Sequence, residues 1–215
     1  TIDAYNTTLE GAIDGTGGIV VTGDGMATQG DGTFSGTIAG VLDVAGSIPN
    51  ASIAGGTLSG EGEVGPVTIS SGKSLYMGYH TPGFSPDSMI GTLQTKSISM
   101  GGLFRYDVLP TGTSDLLQVT GTVTLGGPLL VMVTSGSPAA GQEFTLIDND
   151  GTDAVDGTFK DQPEDSIVTA GPWKFRVHYA AGDGNDVVLT AIDDTITEPA
   201  QDAPPPKAKS FAVCP

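Results

Sequence analysis

The side chains from Lys174 to Tyr179 alternate strictly between polar and apolar, and this alternation constrains the fold more than any other feature of the sequence. Phe175, Val177 and Tyr179 share one face of the segment, and Lys174, Arg176 and His178 share the other. A period of two is typical of an antiparallel strand that buries one face. The Gly- and Asp-rich turn at 182–186 tolerates positive φ angles and leads into three apolar residues. The sequence therefore predicts a β-hairpin.

Composition extends this prediction to the whole chain. The 215 residues include 33 glycines and 14 prolines, which separate short runs of β-branched residues. Such punctuation is typical of short strands joined by tight turns. No window places apolar residues at helical spacing over three turns, so we expect an all-β protein.

Residues 1–75 contain a weak repeat. The pattern Thr-apolar-x-Gly begins at Thr8, Thr33 and Thr57, with spacings of 25 and 24 residues, and a short apolar strand follows each copy. A period in the twenties with glycine corners is typical of a β-solenoid, in which each coil pairs with the next through backbone hydrogen bonds. We therefore expect a β-solenoid, or parallel β-helix, over this region.

The strands become clearer between residues 92 and 192, after a break in the pattern. Residues 76–91 contain Pro82 and Pro86, which cannot donate to a β-ladder, so we expect a loop excursion there. Beyond it, Phe104, Tyr106 and Val108 alternate with polar residues and are expected to point inward. We expect 92–192 to form an antiparallel cap or small sandwich, although the same strands could continue the solenoid.

Two further segments have a distinct composition. Leu129 to Val133 has no polar face, which predicts a central strand covered on both sides. Residues 193–215 contain a run of three prolines, which favours polyproline II and cannot pair in a sheet. The last segment is therefore expected to be an extended tail.

Several linked motifs resemble one family. FTLIDNDGTDAVDGTF at 144–159 and FRVHYAAGDGNDVVLT at 175–190 are similar to the end of the β-strand-repeat regions of autotransporter-type bacterial surface proteins. Upstream, LSGEGEVGPVTISSGKSL, Pro-Gly-Phe-Ser-Pro and SDLLQVTGTVTLGG resemble the same family in the same order. The resemblance covers about residues 56–192. It implies a passenger-like scaffold rather than a particular activity.

The charge balance excludes some classes of partner. The chain has 8 Lys and Arg residues and 25 Asp and Glu residues, which gives a net charge of −17. Nucleic acids and anionic membrane surfaces repel such a chain. No apolar run reaches the roughly 18 residues that span a bilayer. With the resemblance, these features lead us to expect an extracellular or cell-surface protein with no nucleic-acid partner and no membrane span.

The ends of the chain predict self-assembly. The end of a solenoid exposes backbone N–H and C=O groups that can pair with another chain. Ile2 and Tyr5 lie in an arm too short for a capping helix, and Phe211 and Val213 lie in a tail long enough to reach a neighbour. The single Cys214 predicts either an intermolecular bond or a free thiol. We therefore expect a homo-oligomer or homopolymer, as a filament, a surface-layer building block or an adhesion scaffold.

One acidic turn is a candidate metal site. Asp148, Asp150, Asp153 and Asp156 crowd a glycine-containing turn, and oxygen ligands at alternate positions suit calcium. A helix-loop-helix calcium loop would need a further acidic ligand where this chain has Phe159. The resemblance implies instead that the turn connects two strands. The four aspartates are therefore calcium candidates, and no other cofactor is expected.

The sequence offers no credible catalytic triad. One histidine lies in the predicted loop, the other lies on a solvent face, and the only cysteine lies in the tail. We therefore expect a protein that is not an enzyme. The alternatives are polysaccharide cleavage by solenoid carboxylates such as Asp31 and Asp43, and binding of an extracellular glycan by an aromatic patch that includes Tyr79.

Overall fold

The computed structural model describes residues 18–21, 26–27, 35–44, 47–48, 52–78 and 90–193. Every regular element within these ranges is a β-strand, so the expected all-β fold is confirmed. The strands of the described ranges are β1 (Gly18–Val21), β2 (Met26–Ala27), β3 (Ser35–Val44), β4 (Ser47–Ile48), β5 (Ser52–Gly60), β6 (Glu63–Val64), β7 (Val67–Ile69), β8 (Ser74–Tyr76), β9 (Thr92–Thr95), β10 (Ile98–Met100), β11 (Leu103–Val108), β12 (Leu116–Val119), β13 (Val123–Leu125), β14 (Leu129–Val133), β15 (Glu143–Asn149), β16 (Asp156–Gly157), β17 (Ile167–Ala170), β18 (Trp173–Ala181) and β19 (Asp186–Ile192).

Three parallel ladders form the three faces of a β-helix. The first face contains β6, β9, β12 and β15. The second contains β7, β10, β13 and β16, and the third contains β8, β11 and β14. The long strand β5 joins the second and third faces, because its Ile53 pairs with Val67 and its Leu58 pairs with Leu75. The predicted β-solenoid is therefore confirmed.

Inward side chains of successive coils stack into apolar ladders. Leu93, Leu117 and Ile147 occupy paired positions on the first face, and all three are fully buried. Leu75 and Phe104 are stacked in the same way on the third face. Because parallel register places like positions above one another, one apolar position per strand becomes a continuous core. The core therefore runs along the axis of the coils.

Successive coils also approach closely at the corners between strands. Gly102 and Gly127 precede the third-face strands of two successive coils. A Cβ atom on Gly127 would collide with the carbonyl oxygen of Gly102. Glycine at this corner therefore permits the spacing of about 4.8 Å between neighbouring strands that a β-ladder requires.

The predicted repeat has the wrong phase at the N-terminal end. Thr57 pairs with Val41 rather than with Thr33, so this coil is sixteen residues long. Coils of 24 and 25 residues occur later, between β9 and β12 and between β11 and β14. The long strands β3 and β5 run across a corner without a turn, and they close a coil with fewer residues. The copy at Thr8 lies outside the described residues.

The parallel coils extend further along the chain than predicted. The pairing remains parallel through β16, and the antiparallel cap comprises only β17, β18 and β19. The predicted boundary at residue 92 lies too early, because a strand that buries one face in a coil alternates as clearly as a strand in a hairpin. Its short flanking turns make corners instead of reversing the chain. Phe104, Tyr106 and Val108 are buried, as predicted.

β14 is an edge strand, which corrects the prediction of a covered central strand at Leu129 to Val133. Among the described strands, β14 pairs only with β11 and lies at the end of its sheet. Leu130 and Met132 point outward, with 40% and 41% of their surface exposed. The outer face of an apolar strand can meet either another layer or solvent. The apolar run alone therefore does not distinguish a central strand from an edge strand.

The cap extends the first face with three antiparallel strands. β19 pairs with β15, β18 pairs with β19, and β17 pairs with β18. Phe175 and Val177 of β18 are fully buried, whereas Lys174 and His178 are partly exposed. The predicted hairpin with its turn at 182–186 is confirmed.

Some predicted features lie outside the described residues. They are the arm with Ile2 and Tyr5, most of the loop excursion predicted at 76–91, and the tail with Phe211, Val213 and Cys214. In the part of the chain that the structure describes, no helix is long and apolar enough to cross a membrane.

Leu117 and Leu130 form a matched pair for testing the position of the core. Leu117 is fully buried, whereas 40% of Leu130 is exposed. We expect Leu117→Ala to lower the free energy of unfolding by about 2–5 kcal/mol, because it removes apolar contacts and leaves a cavity. Leu130→Ala should cost less than about 1 kcal/mol. Urea denaturation followed by circular dichroism measures both values, and equal losses would contradict the described core.

Candidate functional site

Phe159 closes the C-terminal end of the coil core. Its ring is fully buried, with its centroid 5.4 Å from that of Phe104 and 6.2 Å from that of Tyr179. The backbone N–H of Phe159 donates to the Tyr179 hydroxyl at 3.0 Å, and this hydroxyl donates to the Gln162 carbonyl at 2.6 Å. The segment that crosses the end of the β-helix is thereby tied to β18.

The Tyr179 hydroxyl that holds this segment is in its protonated form. Burial raises the pKa of the Tyr179 hydroxyl to about 12, the Phe159 N–H opposes the shift, and the negative charge of Glu164 adds to it. Glu164 Oε2 also accepts a hydrogen bond from the Tyr179 backbone N–H at 2.7 Å. The hydroxyl therefore remains a hydrogen-bond donor throughout the physiological pH range.

A cluster of polar side chains joins the last coil to the cap hairpin. We call it the asparagine corner, and it comprises Asn149, Gly151, Asp153, Asn185 and Asp186. Asn149 ends β15 and donates through Nδ2 to the Asp153 carbonyl at 2.9 Å. Asn185 lies in the β18–β19 turn and donates through Nδ2 to the carbonyls of Gly151 and Asp153, at 2.9 and 3.1 Å. Two turns that are distant in sequence are therefore held together by side-chain amides.

Asp186 completes the connection from the cap side. Its Oδ1 accepts a hydrogen bond from the Asn149 backbone N–H at 3.0 Å. Burial raises the pKa of the Asp186 carboxyl, the Asn149 N–H opposes the shift, and the negative charges of Asp148 and Asp183 add to it. Negative charge is thus concentrated around the corner.

The four aspartates predicted to bind calcium lie in different surroundings. Asp148 accepts a hydrogen bond from Gln118 Nε2 at 3.2 Å, Asp150 and Asp156 are exposed, and Asp153 belongs to the asparagine corner. In the described part of the chain, no three of these carboxylates lie close enough to share one ion. The predicted set is not assembled, because Asp148 and Asp156 belong to different faces of the β-helix.

A second cluster lies on the outer side of β18. His178 Nδ1 is 3.1 Å from Glu164 Oε1 and 3.5 Å from Asp165 Oδ1, and all three residues are at least partly exposed. These three side chains could share an ion. The sequence placed His178 on this face but did not reveal its neighbours, because they come from the connection before β17. The pairing of Ile167 with Arg176 brings Asp165 opposite His178.

Asp115 is a buried carboxyl where the chain passes from β11 to β12. Its oxygens accept hydrogen bonds from the backbone N–H groups of Gly91 at 2.9 Å and Asp107 at 2.8 Å. Burial raises the pKa of Asp115 to about 8 against these two donors; Asp107 adds to the shift and Arg105 opposes it. Arg105 Nη2 also pairs with Asp107 Oδ1 at 3.1 Å. The network fixes the long turn between the two strands.

The residues behind the two alternative functions are only partly described. Asp31 and Tyr79 lie outside the described residues, and Asp43 lies within β3. Sequence reasoning also missed Asn149 and Asn185, because it considered only acidic side chains as ligands. Both asparagines adjoin Gly- and Asp-rich turns, which was the available indication.

Parallel three-faced coils closed by an antiparallel cap define a β-helical domain of the autotransporter passenger type. The chain belongs to the Pertactin family, whose family model matches residues 64–187, more than half of the chain. The resemblance to autotransporter-type surface proteins is thereby confirmed. The match runs from β6 into β19 and includes the asparagine corner. No curated protein matches the chain.

Asp115 makes the stability of the protein depend on pH. Its folded pKa of about 8 lies above its ordinary value of 3.8, so between these values the folded state binds more protons than the unfolded state. The contribution to stability is therefore full below pH 3.8 and declines as the pH rises to about 8. We expect the urea midpoint to fall over this interval, and Asp115→Asn to reduce the fall.

The exposed Asp150→Asn substitution is the matched control for Asp115→Asn, and we expect it to keep the parent slope. Urea titrations at pH 5, 6.5 and 8 compare the three chains. An Asp115→Asn variant with the slope of the parent chain would show that Asp115 is not the source of the pH dependence.

Proposed function

We propose that this protein is a secreted or cell-surface structural scaffold that assembles head to tail, as the building block of a filament, a surface layer or an adhesion structure. Membership of the Pertactin family supports a surface-exposed passenger of the adhesion type. The observation that carries the assembly proposal is the C-terminal end of the β-helix. Here β14, β16 and β17 are the last strands of their ladders.

The edge strand β14 is the proposed point of contact. An edge strand presents backbone N–H and C=O groups to a further strand. Leu130 and Met132 of β14 are exposed by 40% and 41%, and Ile167 of the neighbouring β17 is exposed by 39%. Apolar side chains beside an open edge favour the addition of a strand from another chain.

The proposed occupant is a terminal segment of a second copy. We favour the tail segment with Phe211 and Val213, with the arm that carries Ile2 and Tyr5 as the other source. The 22 residues after Asp193 reach roughly 70 Å at about 3.1 Å each in a polyproline-like state. A head-to-tail contact of this kind builds a filament unless its rotation closes a ring.

Light scattering of the full chain and of a chain truncated after Asp193 tests this assembly. We expect the mass of the full chain to increase with concentration, and the truncated chain to remain monomeric. Met132→Lys should also prevent assembly, because a charge would replace an apolar side chain beside the edge.

Ser99→Lys is the matched control, because Ser99 is exposed on β10 at the side of the coils. It adds the same charge away from the end and should leave assembly unchanged. A full chain that stays a monodisperse monomer at high concentration would contradict the proposed function.

A further inference from the structure

Three oxygen atoms in the asparagine corner are buried and have no protein hydrogen-bond partner. They are Asn149 Oδ1, Asp153 Oδ2 and Asn185 Oδ1. Asn149 is 0% exposed and Asn185 is 5% exposed. Buried acceptors in folded proteins are nearly always paired, so three unpaired oxygens in one corner need an explanation.

The orientation of the two amides is fixed by their donors. Asn149 Nδ2 donates to the Asp153 carbonyl, and Asn185 Nδ2 donates to the carbonyls of Gly151 and Asp153. Rotating either amide would place its Oδ1 atom against a carbonyl oxygen, where neither group can donate. The unpaired Oδ1 atoms therefore belong to the arrangement and are not exchanged with nitrogen.

The absence of a side chain at Gly151 lets these polar side chains approach one another. A Cβ atom built on Gly151 would lie 2.6 Å from Asp153 Oδ1 and 3.9 Å from Asn149 Oδ1. Asn185 borders the same residue, since it donates to the Gly151 carbonyl. The missing side chain of Gly151 thus leaves room for the Asp153 carboxylate beside Asn149 Oδ1, so that side-chain oxygens of both residues come together at this corner.

The surroundings of these oxygens are acidic, and a depression open to solvent lies beside Gly151 and Asn185. A depression of about 250 Å³ is lined by Gly151, Asp183 and Asn185 together with neighbouring turn residues. Within the corner, the carboxylate of Asp186 accepts a hydrogen bond from the Asn149 backbone N–H. A cation could enter through the depression and would meet negative charge on both turns.

We propose that the asparagine corner binds Ca²⁺ through Asn149 Oδ1, Asp153 Oδ2 and Asn185 Oδ1. Carboxylate and amide oxygens are the ligands that Ca²⁺ prefers, and it accepts six to eight of them in a flexible geometry, so water supplies the remainder. The absence of nitrogen and sulfur from this donor set disfavours Zn²⁺. Of the four aspartates that the sequence indicated, only Asp153 takes part.

Bound Ca²⁺ would link the last coil to the cap hairpin. Asn149 ends β15 and Asp153 lies in the connection that follows, whereas Asn185 belongs to the β18–β19 turn. A ligand that binds only the folded state stabilises it by an amount that grows with the logarithm of its concentration relative to Kd. Ca²⁺ should therefore raise the Tm of the chain, whether or not the chain assembles.

Calorimetric titration of Ca²⁺ into the full, chelator-treated chain tests this site. We expect one ion per chain and a higher Tm in Ca²⁺ than in chelator. Asp153→Asn keeps an oxygen but removes its charge, and we expect it to weaken affinity at least about tenfold, since ligand charge tunes Ca²⁺ affinity. Mg²⁺ should bind more weakly, because it requires a stricter octahedral geometry.

Asp161→Asn is the matched control, because it makes the same change at an exposed position outside both the asparagine corner and the cluster beside His178. It should leave Ca²⁺ affinity within about twofold of the parent, since surface carboxylates contribute little. Equal losses in the two variants, or no calcium-dependent heat and Tm change, would overturn the proposal.

A crystal structure grown with Ca²⁺ provides a check that does not depend on variants. An ion 2.3–2.6 Å from the three oxygens is expected, and water alone at this position would refute the site.

Discussion

The parallel register between successive coils is the constraint on which the rest of this structure depends. Backbone hydrogen bonds hold one coil on the next only where strands align, and this alignment places like positions above one another. Leu93, Leu117 and Ile147 show the consequence, because paired residues in three coils are all fully buried. Along the β-helix, the strands of each coil pair their backbone N–H and C=O groups with those of the neighbouring coils. The asparagine corner and the cluster beside His178 lie where this stacking stops.

The C-terminal end replaces stacking with a different set of contacts. Phe159 covers the core, Tyr179 ties the crossing segment to the cap, and the antiparallel strands extend one face only. The asparagine corner then connects the last coil to the hairpin through side-chain amides and Asp186. The other two faces end at β14 and β16. The proposed calcium site and the proposed contact with a second copy therefore lie at the same end, which is closed on one face and open on two.

Sequence reasoning was most reliable where one strand determines its own pattern. The alternation in β18 and β11 correctly gave the buried faces of Phe175, Val177 and Phe104. It failed where the answer depends on a partner strand. The same alternation fits a strand in a coil and a strand in a hairpin, so the predicted boundary at residue 92 was wrong. The sequence also predicted a second layer over β14, which is an edge strand with an exposed outer face. The asparagine corner depends on the meeting of two distant turns, and single residues such as Asp148 could not reveal which oxygens converge.

Disulfide crosslinking in a Cys214→Ser background tests the parallel register most directly. Gln94 pairs with Gln118 on the first face, and Ser99 pairs with Thr124 on the second. Cysteine pairs at both registered positions should oxidise readily, because paired residues on adjacent strands lie about 5 Å apart. A mismatched pair at Gln94 and Thr124, on different faces, should not. Efficient crosslinking of both registered pairs, with no crosslink in the mismatched pair, is the result expected from stacked coils. Failure of the registered pairs in a folded chain would contradict the β-helix.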